Sequence, residues 1–135
     1  MKYTLIILFI ITHPLLAQFS SDVVSEDPVT KIAFGSCNKP RLERKHESIY
    51  QAILDQKPDL FLFIGDNIYG DTTDMKVFRK RYQALAKMKG YRDLQAQTRV
   101  LATWDDHDYG TNDGGKSYSK RKESQQLFLD FFMFF

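Results

Sequence analysis

The chain has 135 residues, room for one domain, with 19 basic against 17 acidic side chains and a formal charge of +2. That balance provides no electrostatic footprint for gripping a nucleic-acid backbone and no acidic tail. The lone cysteine, Cys37, excludes an intramolecular disulfide framework and any CxxC zinc ribbon or redox pair.

In chain order, Met1 and Lys2 make a short positive start, residues 5–11 are unbroken apolar, and Pro14 precedes Leu15-Leu16-Ala17. The pattern reads as a secretory signal peptide over residues 1–17, cut after Ala17, and hence as export to a secreted or periplasmic location. The apolar run is short for a bilayer span, so a retained membrane tether is the competing reading. Residues 18–29, polar and unpatterned, read as a flexible tether, leaving residues 30–135 as the folded part.

From Thr30 onward strand and helix signals alternate. Residues 31–34 predict a strand ended by Gly35-Ser36. Residues 46–56 predict a helix with Ile49, Ala52 and Ile53 on one face, and residues 60–64 a continuous apolar strand ended by Gly65-Asp66. Met75, Phe78, Tyr82 and Leu85 recur at helical spacing after Asp74, which is placed as an N-cap. A third strand, 100–104, runs into Asp105-Asp106-His107-Asp108 and a loop rich in Gly, Asn and Asp, and a last helix runs from about Tyr118. The fold class is α/β. No internal repeat is present.

In open α/β sheets reactive side chains gather past the carboxyl ends of the strands. Here those exits carry Cys37, then Asp66 and Asn67, then Asp105, Asp106 and His107. Cys37 reads either as a small buried hydrophobe or as a thiolate ligand for a soft or borderline metal. Asp66 either caps its loop or bridges two cations, since its two oxygens face different directions. Tyr69 either packs in its turn or reaches the same ion as a phenolate, a ligand suited to a trivalent metal such as iron. Three carboxylates around His107 repel one another unless solvated or neutralised by a cation. His107 itself reads as a metal ligand, a surface residue, or a general acid and charge stabiliser.

Other readings fall away at this level. His46, in a polar helix start, is expected to be inert. An EF-hand fails, because neither Asp106 nor Asp108 as first ligand gives glycine at the sixth position or glutamate at the twelfth. The basic cluster Lys116, Lys120, Arg121 and Lys122 is expected to be a solvated helix face and not a nucleic-acid patch.

Three ordered strings now suggest a family: Phe34-Gly-Ser-Cys37-Asn38; Pro58-Asp59-Leu-Phe-Leu-Phe-Ile-Gly65-Asp66-Asn67-Ile-Tyr69-Gly70-Asp71; and Ala102-Thr-Trp104-Asp-Asp-His107-Asp-Tyr-Gly110-Thr-Asn-Asp113. Together they resemble the alkaline phosphatase D (PhoD-like) metallophosphatases over about residues 30 to 132. The resemblance implies a calcineurin-like metallophosphatase β-sandwich flanked by helices, with a binuclear metal site at strand ends. It implies Cys37 and Tyr69 as iron ligands, Asp66 as the bridging carboxylate, Asp106 as a ligand of a second metal, and His107 as the catalytic histidine over the scissile phosphate. Asp105, Asn112 and Asp113 would be supplementary ligands or lie behind the ligands.

The cofactors so implied are Fe3+ with Ca2+, other divalent ions being compatible. The activity implied is hydrolysis of a phosphate-ester substrate by a two-metal-activated hydroxide. A site of that kind needs about six to eight protein ligands, and the family draws the remainder from a C-terminal half. The chain is therefore expected to be the N-terminal portion of a longer enzyme, inactive or weakly active alone. The apolar run 127–135 is expected to need a cover. The alternative is a non-catalytic secreted metal-binding or carbohydrate-binding module.

Overall fold

A computed structural model describes residues 28–39 and 43–132, with residues 43–48 described by backbone alone. The expected signal peptide, nearly all of the expected tether and the side chain of His46 lie outside the described residues.

The protein is mixed α/β. Strands β1 (Ile32–Gly35), β2 (Leu60–Ile64) and β3 (Arg99–Thr103) form one parallel sheet in the order β1-β2-β3. Helix α1 (Glu43–Asp55) joins the first pair; α2 (Met75–Lys87) and α3 (Lys89–Gln97) join the second; α4 (Asp106–Tyr109) and α5 (Arg121–Phe132) follow β3. Parallel crossovers are right-handed, and both steps here run in the same direction across the sheet, which carries the connecting helices to a single face.

Side chains alternate along a strand, so the register decides which rows meet those helices. The row Ala33, Phe61, Val100 and the row Gly35, Phe63, Ala102 point into the core, where Phe61 and Phe63 are buried. Gly35 leaves the Phe61 ring its place, since a Cβ there would lie 3.3 Å from Phe61 Cζ. The alternate rows carry Ile32, Phe34 and Leu101, which stay 55%, 70% and 51% exposed. Among the described residues there is one sheet covered on one side, and the second sheet of a sandwich is not among them.

The core is aromatic. Phe63, Tyr91 of α3 and Phe131 of α5 contact in sequence, with ring centroids 6.0 and 5.9 Å apart, and Tyr82 of α2 meets Phe131 at 4.8 Å. Aromatic pairs of this kind add about 0.5–1.5 kcal/mol beyond the burial of their area. The expected periodicity of α2 holds: Phe78, Tyr82 and Leu85 are buried, and Asp74 caps the helix through Oδ1, which accepts from Lys76 N–H at 2.8 Å.

Several expectations are corrected. On α1 it is Tyr50, with Ile53 and Leu54 beside it, that faces the core; Ile49 is 55% exposed and Ala52 is also exposed. Tyr50 packs edge-on against Tyr91, 6.4 Å away. The last helix begins at Arg121, and of the apolar run its Leu127, Phe128 and Phe131 are core residues and not an uncovered surface, while residues 133–135 lie outside the described residues. Among the described residues, exposed apolar side chains gather on the open face of the sheet, at Ile32, Phe34 and Leu101. No helix among the described residues is long and apolar enough to cross a membrane.

Candidate metal centre

Past its last residue, β1 stays tied to β2. Cys37 N–H donates to the Gly65 carbonyl at 3.3 Å and Asn38 N–H to the Asp66 carbonyl at 2.8 Å. This continued pairing sets the Cys37 thiol 3.7 Å from Asp66 Oδ2. The turn has a conformational cost: Cys37 and Asp66 have φ of 57° and 52°, the left-handed region that non-glycine residues avoid. Gly65 takes φ 105° and lets the β3 exit approach, because a Cβ on it would sit 2.6 Å from Asp105 Cβ.

Asp108 fastens the two loops together. Only 1% exposed, it accepts Asn67 N–H and Asn67 Nδ2 on Oδ2, both at 3.0 Å, and Ile68 N–H on Oδ1 at 3.0 Å. Asp105 N–H reaches the same Oδ2 at 3.2 Å, as part of a capping box in which Asp105 caps α4. Burial pushes the Asp108 carboxyl up to about 6, against the pull of those backbone N–H groups. Its oxygens are committed to donors, so its role is to hold the loops. The four-residue helix capped by Asp105 places Asp106 and His107 side by side facing Asp66.

Ligand atoms of Asp66, Asp106 and His107 lie within 4.8 Å of one another. Asp66 Oδ1 is buried and has no hydrogen-bond partner among the described residues. Tyr69 closes one side, its ring 4.2 Å from the His107 ring by centroids. Burial raises the Tyr69 phenol well above its usual range, helped by a hydrogen bond with Cys37 and the charge of Asp66. Lys39 lies over the Tyr69 ring, with Nζ 4.7 Å from its centroid.

His107 Nδ1 meets Asp71 Oδ1 at 2.7 Å, and Asn112 N–H donates to the same oxygen at 3.2 Å. Burial works against a charged His107, but the hydrogen bond and charge of Asp71, with Asp66 and Asp106 behind it, outweigh burial and raise its pKa. The Asp113 N–H donates to Asp106 Oδ2 at 2.5 Å and is the main influence holding that carboxyl below its ordinary value. Asp71 and Asp113 also have positive φ, 48° and 54°, so four of the five described non-glycine residues in that region belong to these loops.

These residues fit a bound cation. Two carboxylates and an imidazole converge, a buried carboxylate oxygen lacks a donor, and a thiol and a phenol stand at hand, a mixed set of oxygen, nitrogen and sulfur donors. Of the residues expected from sequence, Asp66, Asp106 and His107 are brought together, with Cys37 and Tyr69 against Asp66. Asp105 is spent on capping, its Oδ1 accepting Asp106 N–H at 2.8 Å. Asn112 gives its side-chain amide to Asp113 Oδ2 at 2.6 Å, so both act on the cluster through their backbone N–H groups.

Sequence reasoning missed Asp71 and Asp108 as parts of the site. Asp108 had a signal, since an acidic residue three positions after an Asp N-cap is the pattern of a capping box. Asp71 had none, because its partner is 36 residues away. Comparison with protein-family models, with curated proteins and with solved structures gave no match.

Proposed function

We propose that the chain is the amino-terminal portion of an exported metal-dependent phosphoesterase of the PhoD-like, calcineurin-like kind. The observation that carries the reading is that ligand atoms of Asp66, Asp106 and His107 lie within 4.8 Å of one another, while Asp66 also keeps a buried Oδ1 with no hydrogen-bond partner among the described residues. Cys37, Asp66 and Tyr69 would hold one cation, Fe3+ by the resemblance; Asp66 and Asp106 would hold a second, Ca2+. Such a pair, when bound, supplies polarisation of a phosphoryl oxygen and acidification of a water.

The chain's own residues have distinct tasks in this reading. Asp66 orients both halves of the site because its strained backbone is gripped by Asn38 N–H. Asp71 takes the Nδ1 side of His107, which leaves Nε2 as the atom that moves a proton toward the leaving oxygen. The His107 ring is further held against Tyr69. Lys39 is a cation close enough to the cluster to offset the charge of an incoming anionic ester.

Elemental analysis of the purified chain after exposure to Fe3+ and Ca2+, followed by an assay on aryl phosphate mono- and diesters, tests the proposal. Bound metal is expected in the wild type and its loss in Asp66→Asn and Cys37→Ser. Unchanged metal content in both variants would overturn the reading. Metal retention by a form extended at the carboxyl end, without any turnover, would favour a non-catalytic metal-binding module.

A further inference from the structure

We infer that the protein carries a second ligand site, a cleft that takes a planar aromatic group bearing an anionic arm, the chemistry of a nucleoside monophosphate. The cleft lies between the β3 exit and the first turns of α5. It has a volume of about 340 Å³ and is lined by Trp104, Tyr109, Arg121, Lys122 and Gln125. That is the lower part of the usual range for small-molecule pockets, about 300–1,000 Å³.

The walls are held in place. Trp104 rests edge-on against Phe128 of the core, 5.2 Å between centroids, and yet remains 38% exposed, so a fixed indole presents open surface. The backbone of Tyr109 is tied to α5 by Ser124 Oγ–H donating to its carbonyl at 2.7 Å. Arg121 Nη1 donates to the carbonyls of Lys116 and Tyr118, at 3.1 and 3.3 Å, which immobilises the guanidinium before any ligand arrives. Groups ordered in advance bind with a smaller entropic cost.

The charges have been sorted by the fold. In the basic cluster Lys120 is paired with Glu123 at 3.0 Å, whereas Arg121 and Lys122 line the cleft and form no ion pair among the described residues. No acidic side chain lines it. Two cations beside an indole and a phenol select an anion attached to a flat ring, through charge-assisted hydrogen bonds and stacking. The Gln125 amide can both donate to and accept from the edge of such a ring. None of these residues belongs to the metal centre, and the inference does not rest on the phosphoesterase reading.

Trp104 is the chain's single tryptophan and lines the cleft, so tryptophan-selective fluorescence reads one of its walls. Titration of the full chain with adenosine monophosphate, with a chelator present, is expected to give saturable quenching. Adenosine and inorganic phosphate should each bind at least about tenfold more weakly, the scale of losing a charged hydrogen bond or its ring partner. The exposed double substitution Arg121→Ala with Lys122→Ala should weaken the nucleotide about tenfold or more, and Asp66→Asn should leave its binding unchanged. The site is overturned by a response that does not saturate, by equal affinity in the double variant, by phosphate binding as tightly as the nucleotide, or by loss of binding in Asp66→Asn.

Discussion

Just before β2, Asp59 lies at the amino end of the sheet, and its Oδ2 accepts Thr30 N–H, Thr30 Oγ–H and Lys31 N–H, each at 2.8 Å. Just after the same strand, Asp66 sits at φ 52° with a buried oxygen that lacks a hydrogen-bond partner among the described residues, beside two more ligand-type side chains. One strand thus has a matched carboxylate at one end and an unmatched one at the other. The amino end is built to close the sheet. The carboxyl end holds a conformation and a charge arrangement that lower stability, and residues behind it, above all Asp108, compensate.

If that contrast is right, the largest effect comes from removing the compensation. Asp108→Ala leaves the buried N–H groups of Asn67 and Ile68 without acceptors, at about 1–3 kcal/mol each, so a loss on the order of 3 kcal/mol in chemical unfolding is expected. Asp108→Asn keeps one acceptor oxygen and should lose less. A loss below about 1 kcal/mol for the alanine variant would mean that the loops are held by something else.

Next in size is the strain itself. Cys37→Gly removes the left-handed penalty at φ 57° and should raise stability by about 1 kcal/mol, partly offset by the greater freedom of glycine in the unfolded chain. The same change removes the thiol beside Asp66. Cation affinity should fall by more than the roughly 10- to 100-fold that follows loss of a partner behind a ligand. Stability rising while metal binding falls, in parallel unfolding and metal titrations, is the signature of a residue kept for its chemistry; a stability loss would assign Cys37 to packing.

A smaller gain is expected from Asp66→Asn. Asparagine tolerates positive φ, so the turn is preserved while one charge leaves the cluster with Asp106. With a chelator present the free energy of unfolding should rise by about a few tenths of a kcal/mol, and with cation present the order of the two proteins should reverse. Wild type remaining less stable at every cation concentration would break the comparison drawn from the two ends of β2.

How much of this was legible beforehand varies with the range of the interaction. The continuous apolar run of β2 and the cap at Asp74 are local patterns, and both are where the sequence puts them. Helix α3 is not, because its buried residues reduce to Gly90, Tyr91 and Leu94, too few to mark a period. The α1 face was misread because Tyr50 turns inward to meet Tyr91, a residue on that unmarked helix. Likewise, the chemistry of Cys37, Asp66, Asp106 and His107 could be suspected from their places at strand exits. The positive φ values and the Asp71–His107 contact arise from loop geometry across dozens of residues, which no spacing encodes. The open apolar rows of the sheet belong to the same class, since alternation names the rows but not which face the helices choose.

The smallest effect belongs to the matched carboxylate, and its sign follows from the donors. Backbone N–H of Thr30, then that of Lys31, then the Thr30 hydroxyl hold the Asp59 carboxyl below its ordinary 3.8, so the folded chain binds that proton less readily than the unfolded one. Its contribution is therefore complete above the unfolded value and fades as pH falls through the folded one. Asp59→Asn should be less stable than wild type near neutral pH, with the gap closing across the acid window that starts at the ordinary 3.8 and runs downward. The group is exposed and solvent screens it, which keeps the gap small. Unfolding midpoints that differ by the same amount across that window would show that the carboxylate's charge does not clasp β1 to β2, and the amino end of the sheet would then owe its closure to the ladder alone.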